Sequence, residues 1–480
     1  MADLRVVTLT GADAALGESV VETFGARLRG ELLRPGDTKY EEARLIWNGL
    51  IDKRPALIVR CAGVGDVVDS VNFARENDLL VAVRGGGHNV AGNAVCNGGL
   101  VIDLSPMKGI RVDPERRTAR AEAGATLGDL DRETQVFGLA TPLGVVTETG
   151  IAGLTLGGGI GWLRRKYGLS SDNLVSADVV TADGRLLTAS EAKNEDLFWG
   201  IRGGGGNFGV VTSFEYRLHP VGPEIMFCFV LYPGHRVKEV LRSCDEYMAE
   251  APNEVSPLGV LGHVPPVEVF PERWHGESYV AFLAMYAGDA EEGERVLRPL
   301  RELGGAIADL SARIPYTQAQ AILDEDYPNG WHYYWKSVNV DGLNAEAIER
   351  LVDHIEAAPS RHSTIDVWYQ GGAMARIGPD ETAFGDRSAP ILLGIEANWE
   401  RTQDDEANIA WVRNCVADMR RFSSGGMYLN FPGFLEEGES LLRDAYGENY
   451  QRLVALKNKY DPTNLFRLNQ NIKPTTSNTA

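Results

Sequence analysis

The chain has 480 residues, 44% of them hydrophobic and 24% charged, with a net charge of −20. Such a chain predicts a folded protein of two or three domains with ample core. Its negative balance excludes non-specific nucleic-acid or anionic-membrane binding, which need a basic surface, and no apolar run approaches the ~20 residues that span a bilayer.

The opening MADLRVVTLTGADA has no basic stretch ahead of a long apolar one, so no secretory signal is expected and the setting is cytoplasmic. Residues 11–33 read as largely helical, stopped at Pro35-Gly36. A loop through IWNGLIDKRP leads to a strand over residues 56–61, and residues 64–76 carry apolar residues at helical spacing. The next strand, residues 79–83, runs into Gly85, Gly86, Gly87 and His88, before another strand at residues 100–102. This strand–helix–strand unit is the mark of a small α/β layer. Glycines let backbone N–H groups turn toward a ligand without Cβ interference, and a histidine ending such a loop touches whatever the loop holds.

Residues 109–121 alternate as a strand and residues 126–137 read as a helix. A second glycine-rich stretch, GVVTETGIAGLTLGGGIG (residues 144–161), contains one charged residue, Glu148. So many glycines are tolerated where backbone lies against a ligand or against other backbone. A hairpin around Ala182-Asp183-Gly184 follows, then a third cluster in which Gly204, Gly206 and Gly209 spell GxGxxG. That motif follows a helix and opens a strand, the reverse of the dinucleotide-binding context, so a Rossmann site is rejected.

Beyond Pro220 the texture changes. Alternating strands (PEIMFCFVLYP, SYVAFLAMY, STIDVWYQ, APILLGIEANWE) interleave with amphipathic stretches at residues 237–249, 290–303 and 345–357, predicting an antiparallel sheet backed by helices. Alternation puts Asp366, Trp368 and Gln370 on one face and Glu396 and Asn398 on another. With the opposite, apolar faces covered by helices, the acidic faces look into a cavity. Tyr428 and Asn430, in YLN, are expected to share a strand face, and the aromatics of GWHYYWKS (residues 330–337) and Trp274 offer cavity walls. The tail is a helix, a turn and a polar segment, frayed from Thr475 to Ala480. Cys61, Cys96, Cys228, Cys244 and Cys415 form no CxxC pair, which predicts reduced, buried thiols and no metal site.

Arg84-Gly-Gly-Gly-His88, TGIAGLTLGGGIGWLRRKYGLSSDNL (residues 149–174), DLFWGIRGGGGNFGVVT (196–212) and KYDPTNLFRLNQNI (459–472), in this order, resemble the vanillyl-alcohol-oxidase superfamily. Within it they resemble the berberine-bridge-enzyme-like FAD-linked oxidases. The resemblance implies an α+β protein with a split PCMH-type FAD-binding domain (residues 1–217 and 425–480) around an inserted substrate domain of antiparallel sheet and helices (218–424). It implies that His88 bonds covalently to the flavin 8α position. The second tether that many members carry, a cysteine, falls here at Val146, and no cysteine lies between Cys96 and Cys228, so a single bond is expected.

On the same resemblance the cofactor is contacted by Arg84, Gly85, Gly86, Gly87, Asn89, Gly92, Gly144, Val146, Thr149, Gly150, Gly153, Leu154, Gly158, Gly161 and Val211, with Asn469 and Asn471 reaching it through side-chain amides. The glycine loops would give N–H donors to the pyrophosphate, and Val146, Thr149 and Leu154 would line the oxygen-access side. Asp366 or Tyr428, with Asn430 beside it, is expected as base or base-assisting group, and Glu396 stands second. The implied activity is oxidation of an alcohol, sugar or activated C–H of a small molecule, with O2 as acceptor and hydrogen peroxide as product. Two alternatives are a flavin-dependent oxygenase tailoring a polyketide-like metabolite and a non-catalytic flavin-binding protein. Substrate identity and oligomeric state are not written in the sequence.

Overall fold

The structure is a computed structural model that describes residues 3–423, 425–431, 433–434 and 438–475. Of the frayed tail predicted from Thr475, residues 476–480 lie outside the described residues. Two sheets share the first core. In the four-stranded one the order is Glu31–Leu33, Leu57–Arg60, Leu100–Asp103, Val81–Arg84, with the last three parallel. The helix Val64–Glu76 makes the crossover, burying Val67, Val71 and Ala74. The other sheet is antiparallel, in the order Leu186–Ser190, Leu174–Val180, Val210–Arg217, Thr118–Glu122, Ile110–Asp113. The C-terminal helices Glu439–Tyr446 and Asn449–Tyr460 bury Leu441, Leu442, Leu453 and Leu456 in this same core.

Between these parts lies one large antiparallel sheet, in the order Ala308–Asp309, Glu224–Pro233, Ser278–Tyr286, Val255–His263, Thr364–Tyr369, Ile391–Trp399, His332–Val340. Helices Val237–Glu250, Ala345–Glu356 and Asp405–Met419 cover one face, packing Val240, Leu351 and Val412 against Val367, Ile395 and Tyr334. The other face carries Leu258, Trp368, Leu392 and Trp335 and looks back at the glycine loops. The expected α+β architecture is the one observed.

Four local expectations are corrected. Residues 11–33 are not one helix: Gly11, at φ +86°, turns the chain so that Asp13–Leu16 pairs with Leu4–Val7, and only Glu18–Gly25 is helical. Non-local strand pairing outweighs helical propensity there. Residues 109–121 form a hairpin, Ile110–Asp113 with Thr118–Glu122. The helix at residues 290–303 divides into Ala290–Val296 and Arg298–Arg301, with Pro299 opening the second. Tyr428–Asn430 lies in a turn and not a strand.

Candidate active site

The strand Val81–Arg84 delivers the first glycine loop. Arg84 turns its guanidinium to Asp103, at the end of the neighbouring parallel strand, and to the carbonyls of Ala43 and Leu45. It braces the loop from behind and does not line the cavity. Gly86 meets Gly150 backbone to backbone: a Cβ on Gly86 would stand 2.5 Å from Gly150 N, and one on Gly150 would stand 2.4 Å from Gly86 N. The two glycine regions, far apart in sequence, therefore form a single floor.

One continuous cavity lies above that floor. Its lining includes Gly85, Gly86, Gly87, His88, Asn89, Gly144, Val146, Thr149, Gly150, Gly153, Leu154, Val211 and Asn469 from the predicted cofactor set, and Asp366, Glu396, Tyr428 and Asn430 from the predicted catalytic set. Gly206 and Gly209 of the rejected GxGxxG also line it, together with the neighbouring Gly203 and Gly205, between the helix Glu195–Ile201 and the strand Val210–Arg217, while Gly204 does not. A Cβ at Gly153 or Gly206 would meet nothing within 4 Å, so these two leave the cavity room that any side chain would fill.

Besides Arg84, four predicted positions sit elsewhere. Gly92 (φ +67°) is packed on Ile51, Gly158 (φ +112°) on Phe384, and Gly161 so tightly on Leu143 that a Cβ would lie 1.8 Å from its carbonyl oxygen. Asn471 lies outside the lining, with its Oδ1 buried and unpartnered.

His88 lines the cavity, with Nε2 enclosed and without a hydrogen-bond partner. Burial pushes its pKa down to about 3, so the imidazole is neutral and keeps a free lone pair near neutral pH. Its ring lies flat on Trp47, with centroids 4.1 Å apart and 16° between planes. Trp47 donates from Nε1 to the Tyr327 carbonyl at 2.9 Å.

The large sheet forms the roof. Asp366 and Glu396, on the adjacent strands Thr364–Tyr369 and Ile391–Trp399, are 3% and 2% exposed. Gly394 faces Asp366 across the ladder, and a Cβ there would lie 3.2 Å from Glu396 Oε1 and 3.4 Å from Asp366 Cβ. The missing side chain is what lets both carboxyl groups share one space. Asp366 Oδ1 and Trp368 Nε1 have no partner, while Tyr327 donates from its hydroxyl to Glu396 Oε2 at 2.8 Å. Burial pushes Asp366 up to about 7, with the nearby Asp326 carboxylate adding to it. Burial and then the Asp366 charge raise Glu396 well above the usual range. No lysine or arginine lines the cavity among the described residues.

Tyr428 Oη accepts from Ile160 N–H at 3.2 Å and from Asn430 Nδ2 at 2.7 Å. Its acceptor capacity is taken and burial raises its pKa, so the phenol stays protonated and offers its own O–H. Asn469 donates to the Gly206 and Phe466 carbonyls and keeps Oδ1 unpartnered. Of the aromatics in residues 330–337, Trp335 reaches the cavity, its Nε1 held at 2.7 Å by Asn398 Oδ1; Trp274 does not line it.

Sequence reasoning missed Trp47, Tyr327 and Gly394. A tryptophan followed by the turn pair Asn48-Gly49 is the one local signal that marked Trp47. Among the described residues no group of three or more His, Cys, Asp or Glu is placed to hold a metal, all five cysteines are free and buried, and no helix is long and apolar enough to cross a membrane.

Comparison with known proteins bears directly on this cavity. A family model for an FAD binding domain matches residues 55–190, and one described as berberine and berberine like matches residues 427–473. An FAD-linked oxidoreductase of Dictyostelium discoideum is 34% identical over 460 residues, covering 95% of this chain and 97% of that protein. The (R)-6-hydroxynicotine oxidase of Paenarthrobacter nicotinovorans is 32% identical over 458 residues, 93% of this chain and 97% of its own. The crystal structure of 6-hydroxy-D-nicotine oxidase from Arthrobacter nicotinovorans matches with a TM-score of 0.83 at 31% identity, covering 93% of this chain and 98% of that one.

Proposed function

We propose that the chain, which belongs to the berberine-like family of FAD-linked oxidoreductases, oxidises a small molecule at a carbon bearing a hydroxyl or amine, with O2 as acceptor and hydrogen peroxide as product. Membership makes it an oxidoreductase, and the reading as a non-catalytic flavin carrier falls. On this reading residues 1–217 and 425–480 hold FAD, and residues 218–424 roof it. The observation that carries the proposal is a neutral imidazole and a pair of carboxyl groups sharing one glycine-floored cavity.

The residues fit FAD. Open glycine positions, and buried polar atoms without partners at His88, Asn469 and Asp366, surround a space that no lysine or arginine lines among the described residues. We assign His88 as a single covalent tether, since the family resemblance puts the second tether position at Val146, which is not a cysteine. FAD, when bound, supplies the two-electron oxidant.

Asp366, ionised over part of the population near neutral pH and with Oδ1 free, takes the proton from the substrate O–H or N–H. Glu396 stays protonated beside it, held by Tyr327, because burial and the Asp366 charge both disfavour a second carboxylate there. Tyr428 donates its O–H to the reacting region, Asn430 keeps it in place, and Trp335 and Trp368 exclude water. Five free buried thiols support an intracellular, reducing setting.

A peroxide-coupled screen of small alcohols, amines and sugars on the purified yellow protein tests the reading, with peroxide formed in proportion to substrate oxidised. Oxygen from labelled O2 in the product, without peroxide, would establish the oxygenase alternative in its place.

A further inference from the structure

The His88 ring is set by stacking. Trp47 lies flat against the imidazole on one side and against Tyr333 on the other, with centroids 4.1 and 3.7 Å away and planes 16° and 14° apart. Its edge is tied by the Nε1 hydrogen bond to the Tyr327 carbonyl. Its backbone N–H donates to Gly87 O at 3.3 Å, and its carbonyl accepts from Gly330 N–H at 2.9 Å. Asn48, fully buried beside it, donates from Nδ2 to the Val90 and Tyr333 carbonyls and accepts from Tyr333 N–H. The indole is thus immobilised on both faces, at its edge and along its backbone, while Nε2 of the imidazole it supports has no partner at all.

We propose that Trp47 is the positioning residue for flavin attachment: clamped between Tyr333 of the roof sheet and the His88 ring, it holds the imidazole at the angle from which its nitrogen reaches the flavin methyl group. This role rests on the tether assigned above. In the net reaction a bond forms between the imidazole nitrogen and the 8α carbon. One hydrogen leaves the imidazole and one leaves the methyl group, each with one electron. These two hydrogens and two electrons reduce the isoalloxazine ring, and molecular oxygen then removes them as hydrogen peroxide. Bond formation of this kind depends steeply on angle and approach, and a misplacement of about 1 Å costs on the order of 100-fold.

The test compares Trp47→Phe, which keeps a flat face, with Trp47→Leu, which keeps apolar volume without one. For each purified protein, total FAD is read from absorbance, and covalent FAD from the fraction retained after acid precipitation and from intact mass. The expected result is that Trp47→Leu binds FAD but retains about tenfold less of it covalently, while Trp47→Phe stays near wild type. A folded Trp47→Leu with the wild-type covalent fraction overturns the proposal. Should Trp47→Leu fail to fold, Tyr333→Leu decides: a reduced covalent fraction supports the clamp, and an unchanged one overturns it. Wild-type protein whose FAD is released entirely by acid would overturn the tether itself, and this role with it.

Discussion

Tyr327 donates a 2.8 Å hydrogen bond to Glu396 Oε2, while its own backbone carbonyl accepts from Trp47 Nε1. One residue therefore connects the acid on the roof to the ring that supports the histidine. Replacing it with phenylalanine removes the hydroxyl and leaves the carbonyl contact intact. The expected outcome for Tyr327→Phe is a fall in kcat of about tenfold or more, with covalent flavin unchanged, read by turnover and acid precipitation on the same sample.

Asp366→Asn removes the group assigned as base. Flavin reduction by substrate is expected to slow by about 10²- to 10⁴-fold, measured anaerobically by stopped flow. In the wild type the rate should rise with pH through about 7, as Asp366 deprotonates, and this step should vanish in the variant.

The same carboxyl has a stability signature. Its folded pKa of about 7 lies above the ordinary 3.8, so the folded state binds the extra proton between these values. The resulting stabilisation is complete below the unfolded pKa and is lost as pH rises through the folded one. Asp366→Asn avoids burying a charge, so its thermal midpoint should gain on wild type as pH rises from about 4 through about 7, as thermal scans at pH 4 and pH 8 would show.

Glycines of this cavity divide into two kinds, and substitution should separate them. Gly206 faces open space at a backbone angle other residues accept, so Gly206→Val should fold normally and lose FAD occupancy. Gly86 lies on Gly150, and Gly86→Ala should damage folding itself, because backbone on both sides must shift. Soluble yield and flavin content, measured together, distinguish the two.

Arg387 and Asp172, 2% and 6% exposed at their side chains, form a two-pronged ion pair that holds the loop around Phe384 against the second glycine region. Asp172→Asn leaves a buried guanidinium without its counter-charge. The expected cost is about 3–5 kcal/mol, measured by urea unfolding.

Much of this site is legible in the sequence. A two-residue period is a local property of the chain, so alternation alone groups Asp366 with Trp368, and Glu396 with Asn398, on faces that the sheet turns to the cavity. Glycine density marked the floor for an equally local reason, because backbone must be bare where something lies against it. Which bare backbone meets which is set by the folded packing: Gly86 against Gly150 is a close contact, Gly206 is open space, and a glycine count distinguishes neither. The same packing dictates that Gly394 makes room for two acids, that Asp13–Leu16 pairs as a strand, and that Trp47 finds Tyr327 across 280 residues. These are pairings between distant segments, set by the whole chain closing on itself, and no local period encodes them.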